Sequence, residues 1–223
     1  MTDEPTTPTP LSENARRVLG VLVEKAKTTP DNYPMSAAAI VTGSNQKSNR
    51  SPQMDLDETD VLLALDELRE LGAAREIQGN GRVTKYRHAF YDWLSLDNPQ
   101  AAVMTELLLR GPQTLGELRT RASRMHALSD LDAVKNVLAS LEEKKLVEPL
   151  TPPGRGQVFT HSLYQPQERQ YLDARVEKKV NTSTAMAPEK KQEIDQLIQR
   201  LDAVNDRIND LESRLKELEA KNA

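Results

Sequence analysis

The sequence predicts a mainly α, α+β protein, and three observations predict it. Aromatic residues make up only 4% of the chain against 37% hydrophobic and 29% charged residues, so the cores rest on Leu, Val and Ala at helical spacing rather than on aromatic sheet faces. A run of three helical stripes followed by a period-two hairpin occurs twice in succession. A heptad stripe closes the chain.

Residues 1–10, with three Pro among polar residues, carry too little apolar surface to offset ordering and read as a disordered tail. Ser12 is placed to cap a first helix with Leu11 as its staple; Ala15, Val18, Leu19, Leu22, Val23 and Ala26 follow at helical spacing until Thr28-Thr29-Pro30. A shorter helix is expected around Ser36–Val41, then the polar loop Ser44–Pro52. A third helix spans about Glu58–Leu71, capped by Asp57, striped by Val61, Leu62, Leu65, Leu68 and Leu71, and stopped by Gly72. The period then changes from 3.6 to 2. Ala74–Gln78 and Arg82–His88 flank Gly79-Asn80-Gly81, the signature of a hairpin.

The order recurs. Pro99–Leu109 reads as a helix stopped by Gly111-Pro112, and Thr114 to Glu117 as a capping box opening a helix through about Ser123. Ser129 or Asp130 caps a third helix striped by Leu131, Val134, Leu138 and Leu141. Val147–Leu150 and Val158–Tyr164 then flank the turn Thr151–Gly156. A shift of 73 residues superposes Val61, Leu65 and Leu68 on Val134, Leu138 and Leu141. Three helices finished by a β-ribbon is the order of a winged helix. The expected organisation is therefore two tandem winged-helix domains, 11–94 and 95–165, a partly helical linker 166–189, and a coiled-coil helix 190–223.

In that last segment Ile194, Leu197, Leu201, Val204, Ile208, Leu211, Leu215 and Leu218 alternate by three and four, the a and d positions of nearly four heptads. So narrow a seam needs a partner. The g positions are Arg200, Arg207, Arg214 and Lys221, and the e positions include Glu212 and Glu219. A parallel pair sets Arg207 against Glu212 and Arg214 against Glu219, whereas an antiparallel pair faces base with base. A parallel homodimer is expected. Fold-back of the helix onto its own domains is the alternative, and no polar a or d residue excludes a trimer.

Chemistry finds little foothold. There is no Cys, so disulfides, thiol nucleophiles and Cys-ligated metals are excluded. His88, His126 and His161 stand alone, without ligand spacing, and read as structural or surface residues. Gly79-Asn80-Gly81 joins strands and has Thr84 where a dinucleotide loop needs its third glycine. Asp55, Asp57, Glu58 and Asp60 depart from the EF-hand pattern and complement a helix N-terminus instead. No phosphate-binding loop or nucleophile elbow occurs, and the expectation is a protein without enzymatic activity or cofactor. No secretory leader and no apolar run of membrane-spanning length is present, so a cytoplasmic protein without a membrane is expected.

Net charge is −4, and Lys plus Arg nearly equals Asp plus Glu in each of residues 12–94, 99–164 and 165–223. Nucleic-acid affinity then requires local patches. The third helix of the first repeat, the usual groove reader, is acidic, with Asp66, Glu67 and Glu70 outward, and phosphates repel it. The third helix of the second repeat is less hostile, with Lys135 and Asn136 offset by Asp132 and Glu143. Positive charge gathers on the wings and loops. Lys85 and Arg87 share one strand face opposite Thr84, Tyr86 and His88. Arg82 lies at the turn, Lys47, Asn49 and Arg50 in the polar loop, Arg119, Arg121 and Arg124 on the second repeat's second helix, and Arg155 at its wing tip.

Tyr33-Pro34-Met35-Ser36, Asn45 to Pro52, Lys85-Tyr86-Arg87-His88, and the run Arg110 to His126 together resemble the YceH family of bacterial proteins over about residues 11–164. The resemblance implies tandem winged-helix domains and assigns neither activity nor site residues. Relatives often carry Cys where Ser44 stands, so no thiol role transfers; the heptad tail lies outside the resemblance. Two functions follow as expectations. The first is duplex DNA contact through wing and loop cations, in regulation or chromosome upkeep. The alternative is a protein-interaction scaffold that uses the winged-helix surfaces and the coiled coil.

Overall fold

The computed structural model of the chain describes residues 9–78, 83–154 and 156–174. The heptad residues Ile194, Leu197, Leu201, Val204, Ile208, Leu211, Leu215 and Leu218 lie outside them, as do residues 1–8 of the expected tail, residues 175–189 of the expected linker, the turn residues Gly79-Asn80-Gly81, and Arg82 and Arg155.

The Ser12 hydroxyl accepts a hydrogen bond from the Ala15 amide at 3.1 Å and opens α1 (Glu13–Thr28). The same hydroxyl donates to Glu67 Oε2 at 2.5 Å, tying the cap to a helix 55 residues away. After a 3-10 turn at Pro30–Asn32 come β1 (Met35–Ser36), α2 (Ala37–Ser44) and α3 (Glu58–Glu70). Asp57 and Asp60 form a reciprocal capping box at the start of α3, and Gly72, at φ +74°, turns the chain after its end. β2 (Ala74–Ile77), β3 (Lys85–His88) and α4 (Phe90–Leu94) complete the first half. The second half runs α5 (Asn98–Arg110), β4 (Gln113–Thr114), α6 (Leu115–Ala122), α7 (Leu131–Glu143), β5 (Val147–Pro149) and β6 (Val158–His161).

The structure is thus mixed α and β, with small antiparallel sheets, as expected. Each sheet has three strands, in the orders β1-β3-β2 and β4-β6-β5. The third member in each is a two-residue strand just ahead of the second helix: Met35 faces Tyr86, and Gln113 faces Phe159. α2 continues three residues past the expected Val41, through Thr42, Gly43 and Ser44.

α1 and α5 form the spine. α1 is buried on every side from Ala15 to Glu24, and α5 from Gln100 to Leu109, the signature of helices enclosed by others rather than laid on a surface. They meet at Gly20, where a Cβ would lie 2.8 Å from Leu109 Cδ2. Their side chains belong to one continuous apolar core with those of α3, α6 and α7, so both halves share a single interior. The Leu11 amide donates to the Leu163 carbonyl at 3.0 Å, and the Ser51 amide to the Leu109 carbonyl at 3.0 Å, crossing between halves. Residues 166–174 are helical and dock on α1 through Arg16, which holds Glu168 at 2.9 and 2.7 Å and lies over the Tyr164 ring. No described helix is long and apolar enough to cross a membrane.

Candidate nucleic-acid interface and the buried charge cluster

On β3, strand alternation sends Tyr86 into the core and leaves Lys85 and Arg87 exposed. The register places Arg87 opposite Arg75 and Lys85 opposite Ile77, so three cations share the outer face of this sheet. Like charges directly opposite one another are unfavourable in a sheet. Arg75 reaches Asp92 at 3.5 Å, an exposed pair worth little. Neither Lys85 nor Arg87 has an ion-pair partner among the described residues. Behind this face the Tyr33 hydroxyl accepts from the His88 amide at 2.7 Å, and His88 Nδ1 accepts from the Phe90 amide at 3.3 Å. Burial, reinforced by the positive charges of Lys27 and Arg87, pushes the His88 imidazole down to about 4. His88 is a neutral packing residue, not a phosphate ligand.

The polar loop is pinned at its base by Asn45, whose amide nitrogen donates to the Leu56 carbonyl at 2.8 Å and whose Oδ1 accepts from the Leu56 amide at 2.9 Å. Lys47, Ser48 and Asn49 are exposed, Asn49 in the left-handed region at φ +63°. Arg50 is a correction to the expected site. Its side chain is 0% exposed, and its donors are taken by the Gly43 and Asn49 carbonyls, by Gln46 Oε1 and by both oxygens of Glu24. A guanidinium that faces a buried carboxylate at 2.5 Å is withdrawn from any nucleic acid.

Glu24 anchors a network the sequence did not announce. Arg124, expected as a surface cation, spans Glu24 Oε1 at 2.8 Å and Glu106 Oε1 at 2.6 Å. Because Glu24 lies on α1 and Glu106 on α5, Arg124 clasps the two halves together and is corrected from a free contact to a bridging one. Arg110 meets Glu106 Oε2 at 3.2 Å and donates to Asn49 Oδ1. Burial alone raises the Glu24 carboxyl; hydrogen bonding to Arg50 and the charges of Arg50, Arg124 and Lys25 outweigh it and hold the group below the usual range. Arg17, buried and bonded to the carbonyls of Ser44, Pro52 and Leu109, is pushed down to about 10 by desolvation and by the charge of Arg50. Arg121 binds Gln113 Oε1 at 2.8 Å and Glu117 at 3.1 Å, and remains half-exposed. Arg119 is exposed and reaches the Ser129 carbonyl at 3.2 Å.

The outward faces of the third helices differ from this basic surface. On α3, Leu63 is 65% exposed and Leu62 39%, among exposed Glu58, Asp66 and Glu70. On α7, Lys135 is paired with Asp132 at 2.8 Å, with Glu142 and Glu143 exposed further along. Among the described residues no group of three or more His, Asp or Glu is placed to hold a metal ion.

Residues 11–155 match a family model described as a protein of unknown function, DUF480. The UPF0502 protein RB6530 of Rhodopirellula baltica is 68% identical over 183 residues, which cover 82% of this chain and 77% of that protein. UPF0502 proteins of Geotalea uraniireducens and Geotalea daltonii are 52% and 53% identical over 133 and 131 residues, 60% and 59% of this chain. The chain spans about three-fifths of the length of those two relatives.

Proposed function

Because the chain belongs to the DUF480 family, the YceH-like group that its loop motifs resemble, and the family name assigns no activity, we propose a function from the geometry of this chain. It is a non-enzymatic tandem winged-helix protein that contacts duplex DNA through wing and loop cations, with two copies paired by the C-terminal heptads. The order helix, strand, helix, helix, strand, strand, repeated with matching strand orders, supports the winged-helix reading. The observation that carries DNA contact is the outer face of β3. There Lys85 and Arg87 stand exposed and Arg75 lies across from Arg87, a concentration of like charge that a phosphate backbone relieves. Exposed Lys47, Asn49, Arg119 and half-exposed Arg121 extend the candidate contacts. Docking through α3 is disfavoured, since its outward carboxylates would meet phosphates.

Fluorescence anisotropy on duplex DNA across a salt series tests this reading, with wild type beside Lys85→Glu/Arg87→Glu. Each lost phosphate contact makes the negative slope of log affinity against log salt shallower by about 0.9, so the double variant is expected to lose about two such steps. Absence of binding at low salt, or a slope unchanged in the variant, overturns it. A second reading is favoured by Leu62 and Leu63, exposed among acids on α3: a scaffold whose partner offers an apolar surface ringed by Lys and Arg.

A further inference from the structure

We propose that the guanidinium cluster between the two halves, with Arg110, Arg121 and Arg124 at its accessible rim, is a binding site for a phosphate-type oxyanion. The site lies apart from the β3 face, and the proposal does not rest on the DNA reading.

The charge balance is the first reason. Arg17, Arg50, Arg110, Arg121 and Arg124 gather where the polar loop meets the C-terminal ends of α5 and α6. Lys25 adds a sixth cation, 3.8 Å from Glu24, and four carboxylates accompany the set: Glu24, Glu106, Glu117 and Glu13, whose charge acts on Arg17. Six cations against four carboxylates leave an excess of two positive charges, the charge of a phosphate dianion.

Structural duty accounts for only part of this set. Arg50 and Arg124 complete Glu24, and Arg124 with Arg110 neutralises Glu106. Arg17 hydrogen-bonds to carbonyls alone, with Glu13 as a counter-charge on its own helix, and Arg121 adds a charge whose carboxylate, Glu117, lies on its own helix. Arg110 sits in the field of Arg121, Arg124 and Arg50 with Glu106 as its counter-charge, and burial together with those neighbours lowers its pKa.

The second reason is independent. The buried side-chain polar atoms that lack a hydrogen-bond partner among the described residues are Arg17 Nε, Ser44 Oγ, Glu106 Oε2 and Arg110 Nε, and all four belong to this region. Three of them are donors. Arg110 Nε lies 3.2 Å from Glu106 Oε2 but out of line for a hydrogen bond. Donors left over beside an excess of guanidinium charge define an acceptor-rich anion rather than a further carboxylate of the chain. The planar forks of Arg110 and Arg121, both partly exposed, suit the oxygens of a tetrahedral phosphate. Asn49, whose Oδ1 accepts from Arg110, still has its Nδ2 to offer.

The test is a 31P NMR titration of inorganic phosphate against the full chain, with ionic strength held constant by chloride. Wild type and Lys135→Gln, which removes an exposed charge of α7 outside both the cluster and the proposed DNA contacts, are expected to broaden the phosphate line saturably. Arg110→Gln/Arg121→Gln is expected to bind at least tenfold more weakly while keeping its far-ultraviolet circular dichroism. If that double variant does not fold, Arg121→Gln alone is expected to weaken binding at least threefold. No saturable broadening by wild type overturns the proposal, as does equal binding by the cluster variant or an equal loss in Lys135→Gln. The same variants in the DNA salt series identify the source of the anion. A slope reduced by about 0.9 per lost contact marks a backbone phosphate; unchanged DNA affinity beside lost phosphate binding marks a small phosphate compound. If wild type binds no DNA at all, the β3 reading fails while the phosphate titration still decides this site.

Discussion

Glu24→Gln isolates how much the buried charge network holds. In the native protein Glu24 Oε2 lies 2.5 Å from Arg50 and Oε1 2.8 Å from Arg124, and its side chain is 3% exposed. The amide removes the negative charge, keeps the shape, and leaves Arg50, 0% exposed, short of its counter-ion in a region closed to water, while Arg124 keeps Glu106. Removing one partner of a buried pair costs about 3–5 kcal/mol. At a urea dependence of about 2 kcal/mol/M, that lowers the unfolding midpoint by roughly 1.5–2.5 M. The protein supplies its own control. Asp132 and Lys135 also stand 2.8 Å apart, but at 82% and 58% side-chain exposure, so Asp132→Asn costs at most about 0.5 kcal/mol. The Arg124 contact and this one share a 2.8 Å separation, and burial together with the number of cations on Glu24 separates the two outcomes. Acid sharpens the comparison. Since folding lowers the Glu24 pKa, its contribution is complete above the unfolded value near 4.5 and is lost as pH falls through the folded value. Glu24→Gln therefore flattens the acid limb of the stability profile. A urea midpoint within 0.5 M of wild type, or one matching Asp132→Asn, refutes the reasoning.

Two glycines and one half-buried imidazole give two further outcomes. Gly20→Ala and Gly116→Ala make the same change with opposite sign. At Gly20 the added methyl meets Leu109 atoms at 2.8 and 2.9 Å, and overpacking of about 1–3 kcal/mol exceeds the roughly 1 kcal/mol gained in helix propensity. At Gly116 nothing lies within 4 Å, so the propensity gain stands alone; thermal unfolding is expected to move down in the first variant and up in the second. His88 gives a pH signature in a different window. Its folded pKa of about 4 lies below the ordinary 6.5, so the unfolded chain takes up the proton first, and stability declines as pH falls from 6.5 to about 4. Protonation also ends the acceptance by Nδ1 of the Phe90 amide hydrogen. His88→Gln should lose less stability than wild type across that interval, followed by urea midpoints at each pH.

The helices were legible because their ends carry local chemistry. Ser12, Asp57, Thr114 and Asp130 each accept from a backbone amide three residues on, so a short window suffices to place them. The stripes on α3 and α7 were legible because Val61, Leu65 and Leu68 on the one and Val134, Leu138 and Leu141 on the other, 73 residues apart, are all buried. Two-residue β1 and β4 are too short for alternation to register, and α4, five residues long, shows no full stripe. In the candidate site, strand alternation correctly exposed Lys85 and Arg87. Arg50 and Arg124 defeated the same reasoning because their partners lie 26, 18 and 100 residues away, beyond any local pattern. A signal was present nonetheless. Glu24 and Glu106 interrupt the two most uniformly apolar stretches of the chain, and a carboxylate on a helix buried all round demands a cation from elsewhere.

The contact of Gly20 against Leu109 has a consequence for how the chain can be shortened. The flank of α1 at this point is apolar and sealed against α5, and Arg124 reaches a carboxylate on each of the two helices. A cut between α4 and α5 would strip each piece of one wall of its interior and leave a buried carboxylate or a guanidinium stranded. Truncation from either end is bounded by this seam: whichever piece survives turns an inner face out to water.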